Sequence, residues 1–315
     1  MKIYAAPLEG ITRHIFRNVH SRYYSGIDCY FSPFLSPKDK GSITRKEKRD
    51  IIPENNQEIC LVPQILAKDA ERFLLLADRL KKLGYKTLNL NLGCPARTVV
   101  SKGKGCGMLR DPEELSHFLD KIFSGCELEI SVKTRLGLHD PEEILSLIEV
   151  FNSFPLKELI IHARVRDDYY KNHADQAMFE MAAARSIHPV CYNGDIFSAE
   201  DYHCLMEKTD RQKVTAVMLG RGLIANPQLA EQIRENRPQD LTRLEAFLAD
   251  VAESYDEIMS GDHHTICKMK EIWSYILPTF ECCDQYKKKM RKVRNLYVYR
   301  NLVKELFVCE RSLRC

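Results

Sequence analysis

The sequence predicts an α/β protein, a (β/α)8 TIM barrel followed by a C-terminal all-helical domain. Short apolar runs alternate with longer amphipathic ones as far as about residue 235. The short runs number eight, the count at which parallel strands close into a barrel. Beyond Pro238 the strand signals stop and only helical patterning remains. The 315 residues therefore divide into a barrel of 1–237 and a helical domain of 238–315, with a linker near 236–240. An open doubly wound sheet fits less well, because no Gly-x-Gly-x-x-Gly turn follows the first strand.

The predicted strands are Ile3–Ala6, Cys29–Phe31, Cys60–Leu66, Thr87–Leu92, Glu129–Thr134, Glu158–His162, Val190–Tyr192 and Val214–Leu219. Most are rich in Val, Ile, Leu or Tyr, as strands covered on both faces require. Between them, Asp69–Leu83 carries Phe73, Leu76, Ala77 and Leu80 at helical spacing and stops at Gly84. Asp111-Pro112-Glu113-Glu114 and Asp140-Pro141-Glu142-Glu143 both read as an N-cap, a proline at the first helical position and acids in the first turn. Ser198 caps a helix whose first turn holds Glu200 and Asp201. In the tail, 240–259, 264–277 and 285–306 read as three amphipathic helices.

Composition narrows the function classes. Lys+Arg 47 against Asp+Glu 44 leaves a net charge of +3, which argues against a protein that coats nucleic acid along its whole surface. The basic residues are concentrated instead: between 285 and 304 lie Lys287, Lys288, Lys289, Arg291, Lys292, Arg294, Arg300 and Lys304, with no acid and with Tyr286, Tyr297 and Tyr299 interleaved. Such a run predicts an electrostatic track for phosphates. The start carries no basic and apolar leader and no stretch reaches about 20 apolar residues, so a cytoplasmic protein without a membrane span is expected. The 12 cysteines include no Cys-x-x-Cys, so no metal centre is expected and most should be reduced core residues.

In a barrel of this kind, chemistry belongs where strands end and loops begin. The first strand runs into Pro7-Leu8-Glu9-Gly10, the third contains Gln64, and the fourth ends in Asn91-Leu92-Gly93-Cys94-Pro95. The fifth supplies Lys133 and Arg135, the sixth His162 and Arg164, the seventh Asn193-Gly194-Asp195, and the eighth Gly220-Arg221-Gly222. Glycines let backbone approach an anion and arginine adds a charged fork, so the last two loops predict a phosphorylated ligand. The plainer reading of those glycines is that they make tight turns. Cys94 stands outside any apolar pattern, where a thiol can move a proton. Lys133 sits in a strand that should be buried and therefore needs an anionic or electron-accepting partner. The stretch 100–107 is glycine-rich and basic, suited to a polyanion, but it does not match a P-loop.

These segments, taken in order from Ala6 to about Leu229, resemble the flavin-dependent tRNA-dihydrouridine synthases. The matching motifs are Ala6-Pro7-Leu8-Glu9-Gly10-x-Thr12 with Phe16-Arg17, Leu90-Asn91-Leu92-Gly93-Cys94-Pro95, Val132-Lys133-x-Arg135-Leu136-Gly137, Ile161-His162-x-Arg164, Asn193-Gly194-Asp195-Ile196 and Met218-x-Gly220-Arg221-Gly222. The resemblance implies reduction of the 5,6 double bond of a D-loop uridine in tRNA. Hydride would come from reduced FMN, a proton from Cys94, and NADPH would regenerate the flavin. It implies that Pro7, Leu8, Glu9, Gln64, Lys133 and His162 meet the flavin ring. Asn193, Gly194, Asp195, Gly220 and Arg221 would hold its ribityl phosphate. Asn91, Arg164, Arg166 and Tyr170 would meet the nucleotide, and Lys287, Lys288, Lys289 and Arg291 the RNA backbone.

Leu8 replaces a frequent methionine, Gln176 a common tryptophan, and Arg110 follows Leu109 where the family often has a second leucine. None of these changes removes a group the chemistry needs. The competing expectations are an FMN reductase of a free pyrimidine or enone, an RNA-binding barrel without chemistry, and a ribosomal RNA target. A monomer is the favoured state.

Overall fold

The computed structural model describes residues 1–314. Among these, nine parallel strands form one sheet: β1 (Lys2–Ala5), β2 (Cys29–Phe31), β3 (Leu61–Val62), β4 (Gln64–Ile65), β5 (Thr87–Asn91), β6 (Glu129–Gly137), β7 (Leu159–Val165), β8 (Val190–Asn193) and β9 (Val214–Leu219). The hydrogen-bonded order is β3-β2-β1-β9-β8-β7-β6-β5-β4. Its two ends are consecutive in the chain, separated by Pro63 alone, so the sheet closes into a barrel. The sequence anticipated one strand over 60–66. Pro63 has no N–H to donate and splits it, while its carbonyl still accepts from Asn89 N at 2.9 Å.

Side chains alternate along each strand. Leu88, Leu90, Ile130, Val132, Leu159 and Ile161 face outward into the core shared with the surrounding helices. Tyr4, Phe31, Val62, Ile160, Cys191, Ala216 and Met218 point inward and form an apolar plug. One pleat further along, the inward positions become Ala6, Gln64, Asn91, Lys133, His162, Asn193 and Gly220, which rim the carboxyl ends of the strands. The period of two therefore puts the polar set in one layer, above an apolar floor.

The helix starts follow their caps. The Asp69 side chain accepts from Arg72 N, Asp111 from Glu113 N and Glu114 N, and Ser198 with Asp201 completes a capping box. Asp140 still accepts from Glu142 N at 2.9 Å, but it caps the turn ahead of the regular helix. The helix is Glu143–Asn152, preceded by a tight turn, and the Glu143 carboxylate accepts from Leu138 N, His139 N and Asp140 N.

The C-terminal region comprises helices Leu241–Ile258, Asp262–Ile276, Cys283–Lys292 and Leu296–Leu313. The single helix expected over 285–306 is thus two. Asn295 caps the second one, accepting from Val298 N at 2.9 Å. Trp273, 1% exposed, centres this region and donates to the Tyr299 hydroxyl at 2.9 Å. The region shares its core with Ile15, Phe16 and Val19 of helix His14–Tyr23, with Phe16 edge-on to Phe247 at 5.7 Å. No helix among the described residues is long and apolar enough to cross a membrane.

Candidate active site

At the carboxyl ends of the strands lies a cavity of about 260 Å³. Of the residues singled out from the sequence, Pro7, Leu8, Glu9, Gln64, Asn91, Cys94, Lys133, His162, Tyr170, Asn193, Gly194, Gly220 and Arg221 line it. They come from loops or strands spread over the whole barrel, which is why closure of the sheet is a precondition for the site.

The loop after β1 is shaped by Thr12, whose hydroxyl accepts from Leu8 N at 2.8 Å. Arg17, fully buried, ties the following helix to its neighbour through Thr12 O, Asp50 O and Asn56 Oδ1. These motif residues build the scaffold and do not line the cavity. A chain of amides crosses the floor: Asn91 Nδ2 donates to Gln64 Oε1 at 2.7 Å, Gln64 Nε2 to Asn89 Oδ1 at 2.7 Å, and Asn89 Nδ2 to Ser131 Oγ at 2.9 Å. Asn91 Oδ1 accepts from Gly93 N and Cys94 N at 3.1 and 2.9 Å, so the strand end fixes the turn carrying the thiol. Burial pushes the Cys94 thiol above the usual range, which keeps it protonated at neutral pH.

Positive charge converges on the opposite wall. Lys133 Nζ donates to Asn193 Oδ1 at 2.8 Å; burial, and then neighbouring Arg135, push its pKa down to about 8. Burial, followed by the charges of Arg135, Lys133, Arg164 and Arg221, pushes His162 well below the usual histidine range. The imidazole is therefore neutral. Its Nε2 lies 3.1 Å from Arg164 Nη1, which makes Nε2 the acceptor and assigns the ring proton to Nδ1. Asp195 bridges Arg164 and Arg221, the latter at 2.8 Å, and also accepts from Ala174 N. Arg221 stacks over Tyr170 at 4.4 Å and Phe197 at 5.3 Å.

The model for the dihydrouridine synthase (Dus) family matches residues 4–307. The chain belongs to the dihydrouridine synthase family. It is 27% identical over 248 residues to tRNA-dihydrouridine synthase B of Pasteurella multocida, covering 78% of this chain and 73% of that one. A probable tRNA-dihydrouridine synthase of Staphylococcus epidermidis is 29% identical over 264 residues, 80% and 78% of the two chains. Among solved structures, a variant of NCR from Zymomonas mobilis superposes with a TM-score of 0.51 at 12% identity, over 76% of this chain and 88% of that one. That similarity is one of fold.

Within this synthase-family barrel, several expected residues stand elsewhere. Asp195 lies behind the cavity as the brace of two arginines. The Arg164 side chain is only 2% exposed and is held by Asp195, His162 and the Asn172 carbonyl, so it positions the wall and offers no free fork to a nucleotide phosphate. Arg166 pairs with Asp167 outside the cavity lining. Lys287, Lys288, Lys289 and Arg291 are exposed on one helix, whereas Tyr286 and Tyr299 are core residues and Tyr297 alone of the interleaved tyrosines is exposed. Asn91 acts on the thiol turn and on Gln64, in addition to any contact with a base.

Arg135, Phe34 and Tyr275 are cavity residues that the sequence left without a role. Arg135, 1% exposed, gathers the carbonyls of Gly93, Val165 and Tyr169, locking the thiol turn to the loop after β7. Its place two residues beyond Lys133, on the same face, was the available signal. Phe34 follows β2 and could have been found by the strand-end rule. Tyr275 comes from the C-terminal helices, and nothing local announces it. Phe34 also lines a neighbouring groove of about 610 Å³ with Lys38, Arg72, Lys102 and Lys104, which puts the basic 100–107 stretch beside the cavity mouth. Burial and the charges of Arg72, Lys102 and Lys68 lower the Lys104 pKa.

Proposed function

We propose that this protein reduces the 5,6 double bond of a D-loop uridine in tRNA, with FMN as the resident cofactor and NADPH as reductant, in the cytoplasm. The observation that carries the reading is the cavity itself, in which a protonated thiol shares the lining with three cations, Lys133, Arg135 and Arg221, and a neutral imidazole. The relatives' activity as tRNA-dihydrouridine synthases supports the same substrate class.

The donor set fits a phosphorylated flavin. Among the described residues Lys133 has only a neutral amide as hydrogen-bond partner, and its depressed pKa reports a site that favours a negative charge beside it. A Cβ on Gly220 would meet only Ala6, at 3.7 Å, so the missing side chain leaves the cavity open there. Gly194 and Gly222 are different: a Cβ would strike the Tyr192 hydroxyl or the Ile196 carbonyl, so close packing also demands these glycines. Pro7, Leu8, Glu9, Gln64, Lys133 and His162 would hold the ring, and Asn193, Gly194, Gly220 and Arg221, braced by Asp195, the ribityl phosphate. A flavin held by these residues would supply the hydride for uridine C6.

The chain supplies the rest. Cys94 delivers its proton to C5, from a turn held by Asn91 and Arg135. Lys133 gives positive charge to an electron-rich ring edge. Tyr170 and Phe34 offer aromatic faces at the mouth for the extruded nucleotide. Residues 1–237 form the catalytic unit, and residues 238–315 carry the phosphate track of Lys287, Lys288, Lys289 and Arg291.

The test is direct. The purified protein should show flavin absorbance near about 450 nm, and the flavin, once reduced by NADPH without oxygen, should be reoxidised on adding unmodified tRNA. A colourless folded protein that gains no flavin on reconstitution would overturn the cofactor assignment. Flavin turnover on free pyrimidines and none on tRNA would overturn the substrate.

A further inference from the structure

The mechanism uses one of the cysteines. Another two, far from Cys94, form a pair. Cys29 opens β2 and Cys60 immediately precedes β3, at the amino-terminal edge of the barrel, the end opposite the cavity. Their strands are parallel and in register, with Tyr30 beside Leu61 and Tyr30 N donating to Cys60 O at 2.8 Å. The two cysteines are therefore direct neighbours across the ladder. Adjacent strands lie about 4.8 Å apart, inside the about 4.4–6.8 Å window between Cα atoms that a disulfide spans. The two Sγ atoms are 3.0 Å apart, and both thiols are free.

The two members differ. Cys29 is buried at 7% exposure, whereas Cys60 is exposed to solvent. The hydrogen bond shared by the two sulfurs, in which either can donate, and the ammonium groups of Lys157 and Lys2 lower the Cys60 thiol, against burial and the Asp28 carboxylate; Cys29 Sγ also lies 3.3 Å from Cys60 O. The same hydrogen bond, burial, the Cys60 charge and Glu158 raise Cys29. The more acidic and solvent-exposed thiol of the pair therefore touches a less acidic, buried one.

We propose that Cys29 and Cys60 form a reversible dithiol–disulfide pair oxidised by hydrogen peroxide, with Cys60 attacking the peroxide and Cys29 resolving the product. In the first step the Cys60 thiolate attacks one peroxide oxygen. An S–O bond forms, the O–O bond breaks, hydroxide leaves, and the sulfur becomes a sulfenic acid, two electrons more oxidised. In the second, Cys29 sulfur attacks Cys60 sulfur. The S–S bond forms, the S–O bond breaks, and the oxygen departs as water with the Cys29 proton. Hydroxide and one solvent proton make the second water, and an external dithiol returns the pair to two thiols by thiol–disulfide exchange, itself becoming a disulfide.

The pair is tested on the full-length protein, fully reduced and then treated with one equivalent of hydrogen peroxide at pH 7. Mass spectrometry after alkylation should find a Cys29–Cys60 linked peptide. Cys60 should be consumed about threefold or more faster than the exposed Cys204, since the lowering of the Cys60 thiol raises its thiolate fraction more than it costs in nucleophilicity. Cys29→Ser should leave a sulfenic acid on Cys60 that dimedone traps, and Cys60→Ser should leave Cys29 reduced. Neither variant should change dihydrouridine formation, since both positions lie away from the cavity. A native protein that accumulates the Cys60 dimedone adduct without the linked peptide would overturn the proposal. So would oxidation of Cys204 at least as fast as Cys60.

Discussion

Lys133 is a charge that folding alone does not favour, and replacing it separates stability from function. The drop in its pKa from 10.5 to about 8 corresponds to about 3 kcal/mol at 1.36 kcal/mol per tenfold, an upper figure because the ammonium borders the cavity and water there screens it. The unfolded chain holds this proton more tightly than the native one. Stability therefore rises with pH between about 8 and 10.5, and below about 8 the full cost is present.

Lys133→Met removes the charge and keeps the length. It also strands Asn193 Oδ1, because Asn193 Nδ2 is already committed to Met218 O at 2.8 Å and the amide cannot flip. That orphan costs about 1–3 kcal/mol. The balance for the flavin-free protein at pH 7 is a stabilisation of about 1 kcal/mol, or about 2 °C in Tm. At pH 10 the wild-type lysine is largely neutral and keeps its hydrogen bond, so the sign reverses and the variant melts lower. Flavin affinity should fall about 10- to 100-fold at neutral pH, as the loss of a charge-assisted hydrogen bond requires. Calorimetry at the two pH values and a flavin titration measure all three quantities. A variant that is less stable at both pH values by the same margin, or that binds flavin as tightly as wild type, would refute the reasoning.

Asn91→Ala frees Gly93 N and Cys94 N together; single-turnover reduction should fall about 10- to 100-fold with flavin content retained, as expected for a misplaced proton donor. Because burial raises the Cys94 thiol, the same rate should hold through neutrality and decline only above the ordinary thiol range, where a thiolate can no longer donate; a decline centred near pH 7 would assign the proton elsewhere. Replacing Lys287, Lys288 and Lys289 together with alanine should raise the KM for tRNA about tenfold. It should also make the slope of log affinity against log salt shallower by about 2–3, one phosphate for each lysine.

The barrel was legible because its signals are local. The alternation of Leu88, Asn89, Leu90 and Asn91 gives the strand and both its faces, and Asp69, Asp111 and Ser198 announce their helices. Pro63 was visible in the sequence, but whether it ends a strand or only interrupts it depends on what its neighbours supply; here Ser32 N to Val62 O and Asn89 N to Pro63 O carry the ladder across the break. The break between the last two helices was signalled by Asn295, yet continuous amphipathicity on either side concealed it. At the site, strand-end positions were readable from register alone. Arginines were harder, because one side chain can reach a ligand or brace the wall. Arg164 braces, held by Asp195, and Arg135 gathers three carbonyls, and only the partners distinguish these roles. Tyr275 was hidden for a different reason, since its place at the cavity depends on how the C-terminal helices pack on helix His14–Tyr23.

The central claim is that Cys94 protonates a uridine of tRNA reduced in this cavity. Its most direct test is dihydrouridine formed in a single turnover on unmodified tRNA, by flavin-reduced wild type and by Cys94→Ala of equal flavin content and tRNA affinity. The wild type should form dihydrouridine, and the variant should do so at a rate lower by about 10²–10⁴. Equal rates, or no dihydrouridine from a flavin-loaded wild type that binds tRNA, would contradict the claim.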